Sequence, residues 1–130
     1  MHTPRSFDYA VVRVIPRVER EEFVNAGVIV YCYALDYLAA SIELDEARLL
    51  ALAPDVDLPL VRRHLEAIPR ICSGADSAGP IALLSQRERF NWLVAPRSTM
   101  IQTSPPHSGM CADPSSALER LLERTVRIRQ

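Results

Sequence analysis

Residues 95–114 hold most of the polar chemistry that is not obviously structural: Arg97, Ser98, Thr99, Gln102, Ser104, His107, Cys111 and Asp113. Together they supply a fixed cation, hydroxyls, an amide, an imidazole, a thiol and a carboxylate. Such a set suits a phosphorylated or carboxylated ligand, because a guanidinium can grip two anion oxygens at once and free amides at a helix start can complete the cradle. Against this, Asp113 as an N-cap would already neutralise the helix end that follows it. A second chemistry is a Cys111 thiolate beside a His107 imidazolium; a structural thiol and a hinge histidine account for the same two residues.

Other chemistries are excluded more firmly. All fifteen basic residues are arginine, so no lysine nucleophile, Schiff base or phosphate-loop lysine can operate. The three histidines and three cysteines include only one close pair, His107 and Cys111, so no metal site is expected. There is no glycine-rich phosphate loop, no His-Glu-x-x-His and no Gly-x-Ser-x-Gly, and no cofactor is expected.

The elements that must position these residues follow from periodicity. Residues 7–15 read as a strand with Phe7, Tyr9, Val11, Arg13 and Ile15 on one side and Ala10, Val12 and Val14 on the other. Arg13 is the charge among apolar neighbours, either laying its stem on the core with a wet head or reaching a ligand. Residues 26–33 and 37–44 read as two further strands closed by Ala34-Leu35-Asp36, and an antiparallel sheet follows. Asn25-Ala26-Gly27 is a bulge or turn, or a place where another backbone or a ligand comes close.

From Asp45 the period becomes helical. Asp45 caps a short helix, Asp57 a longer one with Leu58, Val61, Leu65, Ile68 and Cys72 on its core stripe, and Pro69 should break or kink its last turn. His64 falls on the polar side of that helix. Ser85 and Glu88 fit a capping box for a third helix carrying Phe90, Trp92 and Leu93, with Trp92 able to face the strand that follows. Residues 97–104 read as the fourth strand, 105–109 as a turn, and Asp113-Pro114 as the start of the last helix. The expected fold is α+β: a small antiparallel sheet of about four strands in the order β-β-β-α-α-α-β-α, with the helices packed on one face and a single domain over residues 1–130.

A hydrophobic fraction of 48%, a charged fraction of 24% and a net charge of −1 match an ordinary globular protein and give no electrostatic motive for nucleic acid or an anionic membrane. Three scattered cysteines and an N-terminus without an apolar core point to free thiols in the cytoplasm.

Phe7 to Val28, Arg89-Phe90-Asn91-Trp92-Leu93-Val94-Ala95-Pro96-Arg97-Ser98-Thr99, His107-Ser108-Gly109 and Asp113-Pro114 carry a resemblance. In these motifs the chain resembles a bacterial family known as domain of unknown function 3037. That resemblance implies no activity and transfers no catalytic residue. It does imply a protein partner, since genes of the family lie beside a kinase-like gene of the HipA type. The leading expectation is therefore an accessory or binding module acting with a protein partner, a HipA-like kinase being one. The alternative is a sensor or enzyme for a small anionic ligand at Arg97, Ser98, Thr99, Gln102 and His107, joined by Arg13 and Asn25.

Overall fold

A computed structural model describes residues 3–127. Met1 and His2, which begin the N-terminal stretch without an apolar core, lie outside the described residues, as do residues 128–130. The first strand, β1 (Arg5–Val14), is apolar on both sides of its pleat, and both sides are covered. On one edge it pairs antiparallel with β2 (Val24–Cys32), which pairs with β3 (Tyr37–Ile42). The hairpin between them turns at Asp36, which adopts φ 53°, a left-handed conformation that aspartate tolerates.

The chain then leaves the sheet for α1 (Glu46–Leu52), α2 (Leu58–Ser73) and α3 (Gln86–Val94). It returns as β4 (Ile101–Thr103) and β5 (His107–Cys111) and closes with α4 (Pro114–Thr125). Both β4 and β5 pair with the second edge of β1, one near each end. Among the described residues this makes a five-stranded antiparallel sheet with four α-helices.

The helix starts are fixed by the capping residues read from the sequence. Asp45 accepts from the Arg48 amide, Asp57 from Leu60 and Asp113 from Ser115, while Ser85 and Glu88 form the reciprocal box. Pro69 does not end α2, which runs on to Ser73 and stops at Gly74 in the left-handed region.

The class and the antiparallel sheet are as expected, and two details differ. The sheet has a fifth strand where residues 105–109 read as a turn, because His107, Ser108 and Gly109 pair with Tyr9, Asp8 and Phe7. Proline and glycine dominate the local signal there, and the pairing that overrides them is a hundred residues away. The helices also occupy both faces. Leu49, Val61, Leu65 and Phe90 of α1–α3 pack with Val12, Val14, Ile29 and Tyr31, whereas Ala117 and Leu122 of α4 pack with Phe7, Val28, Val30 and Cys32. A strand pair apolar on both sides needs both covers.

A bulge sets which residues of β2 meet which layer. Val12 faces Gly27 and Arg13 faces Asn25, so Ala26 is the extra residue. Val24 and Ala26 before it then share a face with Ile29 and Tyr31 after it. Gly27 also lets β3 come close, since a Cβ there would stand 2.6 Å from the Ser41 carbonyl oxygen. At the far end Arg127 joins Glu43 of the β3 terminus to Glu119 and Glu123 of α4, and its guanidinium holds the Glu43 carboxyl below its usual range.

Gly109 is required by packing rather than by a turn: an added Cβ would lie 2.8 Å from the Phe7 ring. Gly109→Ala is expected to cost about 1–3 kcal/mol in urea unfolding. A double-mutant cycle with Phe7→Leu should show favourable coupling, because the smaller side chain relieves the clash. Strict additivity would mean that the ring is not the obstacle.

Candidate functional site

The site takes shape where the chain re-enters the sheet. After α3 ends, residues 98–100 form a bend, and only Ile101–Thr103 extend as a strand, shorter than the 97–104 expected. Between this strand and α2 lies a cavity of about 320 Å³. Its walls are Ala67, Ile68 and Ile71 of α2 with Trp92 and Leu93 of α3, and its floor is Thr99 through Thr103. The three strand residues among them, Ile101 to Thr103, point alternately to opposite faces, so the cavity follows the backbone edge as well as one surface of the sheet. His64 and Arg97 stand on its rim, and no aspartate or glutamate lines it.

Arg97 has a structural role at this rim. Its Nη2 donates to the Trp92 carbonyl and its Nε to the Ala95 carbonyl at 3.4 Å, while its guanidinium lies 4.7 Å from the centre of the Trp92 ring. The cation thus serves the carbonyl end of α3, where the helix dipole favours positive charge, and fixes Trp92 against the cavity. Thr99 Oγ1 donates to the Ile101 carbonyl at 2.9 Å and Gln102 Nε2 donates to the Thr99 carbonyl at 2.8 Å, so both brace the bend. Ser98 is exposed in that bend and does not line the cavity.

The other sequence candidates stand elsewhere. Arg13 alternates with Val12 and Val14 and so projects to the α4 face, where its guanidinium lies 4.3 Å from the centre of the Phe23 ring. Asn25, its partner in register, donates to the Thr125 carbonyl at 2.9 Å and caps the end of α4. Arg13 Nε and Asn25 Oδ1 are buried and make no hydrogen bond within the described residues. His107 is exposed on β5 with its ring 5.4 Å from that of Tyr9. The structure therefore brings Arg97, Thr99 and Gln102 to the border of one cavity, with Gln102 also the register partner of Arg13; it sets Arg13 and Asn25 side by side on the α4 face and keeps His107 apart from both groups.

The thiols are poorly placed for chemistry. Cys32, Cys72 and Cys111 are all buried, and burial pushes the Cys72 thiol up to about 12 and raises that of Cys111. Cys111 and His107 sit four residues apart on one strand, about 13 Å along the chain, too far for a hydrogen-bonded pair. Among the described residues no group of His, Cys, Asp and Glu is arranged to hold a metal ion, and no helix is long and apolar enough to cross a membrane.

Residues 9–126 match the family described as protein of unknown function (DUF3037). The chain belongs to that family. No curated protein and no solved structure matches it.

His64 lies outside the set of site residues expected from the sequence, and Ser104, which belongs to that polar set, serves the fold instead. His64 is exposed, as its place on the polar side of α2 implies, and its i, i+3, i+4 and i+7 spacing with Ala67, Ile68 and Ile71 is the signal that also brings it to the cavity rim. Ser104 is 3% exposed, and its hydroxyl accepts from the Val11 amide at 2.9 Å just beyond the end of β4, where no backbone carbonyl takes that bond. Ser104→Ala leaves that amide buried and unpaired, and a loss of about 1–3 kcal/mol is expected in chemical denaturation. An unchanged unfolding midpoint would show that the hydroxyl does not hold the junction.

Proposed function

We propose that this DUF3037 protein is a binding module without chemistry of its own, acting on a protein partner through the cavity between α2, α3 and β4. The observation that carries this reading is the character of the cavity. Its walls are aliphatic and aromatic, its one fixed cation gives two of its three guanidinium nitrogens to the end of α3, and among the described residues neither a thiol nor a carboxylate lines it. A surface of that kind offers area and shape for recognition, whereas catalysis requires a nucleophile or an acid–base pair within hydrogen-bond reach of a substrate. Trp92 is 40% exposed on the wall and is the natural anchor, since large amphipathic rings dominate partner recognition.

A kinase of the HipA type is the first partner to test, on the strength of the family resemblance. Ala67 is half-buried on the helical wall, and Ala67→Arg fills the cavity mouth without removing a core contact. Co-expressed chain and kinase are expected to co-purify, and Ala67→Arg to abolish co-elution while the variant keeps its helical circular dichroism. Two proteins that elute separately at about micromolar concentration, or a complex indifferent to Ala67→Arg, would contradict the reading.

A second reading is a small-anion sensor at the same rim, favoured by one feature: Arg97 Nη1 makes no hydrogen bond within the described residues. A thermal-shift screen of phosphorylated and carboxylated metabolites separates the two readings. Stabilisation by such a ligand that is lost in Arg97→Gln supports the sensor.

A further inference from the structure

We propose that the outer edge of β4 receives an extended segment of the partner as an added antiparallel or parallel strand, with alternate apolar side chains set into the cavity and an acidic side chain at the Arg97 end. This rests on the partner-binding reading above and names how that site recognises its ligand.

The hydrogen-bond ladder decides which groups β4 offers. The Ile15 amide donates to the Met100 carbonyl at 2.7 Å, and the Ser104 amide to the Val11 carbonyl at 2.8 Å. Arg13 and Gln102 are paired midway between those bonds. In an antiparallel ladder alternate residues turn their backbone groups to the partner strand, so Met100, Gln102 and Ser104 face β1. Ile101 and Thr103 must then turn their N–H and C=O groups outward. The Ile101 carbonyl already accepts from Thr99 Oγ1 but retains a second lone pair, and among the described residues no sheet strand lies beyond β4. An extended peptide laid there would meet two outward amides and two outward carbonyls, the geometry by which sheet edges capture a strand.

The surroundings of that edge point to the chemistry of the segment. Strand side chains alternate, so every second residue of an added strand would enter the space walled by Ala67, Ile68, Ile71, Leu93 and Trp92, which suits aliphatic or aromatic groups. Among the described residues the lining carries the Arg97 cation and no carboxylate, so its charge is complementary to an aspartate or glutamate in the segment and not to a lysine. With only three residues in β4, the main-chain bonds are few, and side chains in the cavity must supply most of the affinity.

Selection of displayed random decapeptides on the full chain, repeated on Ala67→Arg, tests this. Enriched peptides should alternate apolar and polar residues, carry an aspartate or glutamate, and bind Ala67→Arg more weakly by about tenfold or more. A synthetic copy should slow amide exchange at Ile101 and Thr103, and backbone N-methylation at one edge-facing position should abolish binding. Peptides that depend on Ala67 but leave exchange at Ile101 and Thr103 unchanged overturn the added strand while sparing the cavity as the site. Enrichment indifferent to Ala67→Arg, or no enrichment at all, overturns both. Enrichment of lysine or arginine in place of acidic residues overturns the charge assignment.

Discussion

Two strands share one edge of β1. Its N-terminal half pairs with β5 and its C-terminal half with β4, and between them Ser104-Pro105-Pro106 interrupts the ladder. A buried amide on a central strand must find an acceptor or destabilise the fold by roughly the desolvation of one polar group. At Val11 that acceptor is the Ser104 hydroxyl, while the Ser104 amide returns a bond to the Val11 carbonyl. The serine thus joins β4 to β1 from the side, where a continuous strand would have used its own backbone. Because the join is local, β4 is held at both of its ends by bonds to β1, and its far edge is left to the cavity.

From this junction the two layers follow. β1 is apolar on both sides, so α1–α3 cover one face and α4 the other, and the Ala26 bulge tunes the side chains of β2 to both covers. The glycines at 27 and 109 allow close approach against β3 and against the Phe7 ring. Arg97 and Asn25 then finish two helices by donating to their last carbonyls. At these joints Arg13, Asn25 and Arg97 each hold a structural contact, and Gly27 and Gly109 leave the room that a side chain would fill. A binding role for the protein therefore falls to the residues that line space, Trp92 and the wall of α2, more than to those joints.

The sequence was most informative where signals are local. Capping residues at Asp45, Asp57, Ser85 and Asp113 placed the helix starts, and the two-residue alternation of β1 placed both of its faces. It misled where a distant partner overrides local preference, as at β5, whose Pro-Pro-His-Ser-Gly reads as a turn until Phe7 and Tyr9 are set beside it. Pro69 is the same lesson inside a helix, tolerated because α2 is anchored by Leu65, Ile68 and Ile71 in the core. For the site, residue type identified Arg97, Thr99 and Gln102, but a polar cluster in sequence says nothing about which face each residue meets. That is why Arg13, Asn25 and His107 could be grouped with Arg97 on paper and stand apart in space. The cavity itself depends on the gap between a helix and a strand edge thirty residues apart, and no local pattern encodes that gap.

Residue-by-residue amide exchange in the free chain tests most directly that β4 is closed toward β1 and open toward the cavity. Val11, Gln102 and Ser104 should be protected, with Val11 held by the Ser104 hydroxyl, while Ile101 and Thr103 exchange rapidly between them. Equal protection across residues 100–104, or a Val11 amide exchanging as fast as the exposed bend at Ser98 and Thr99, would contradict it.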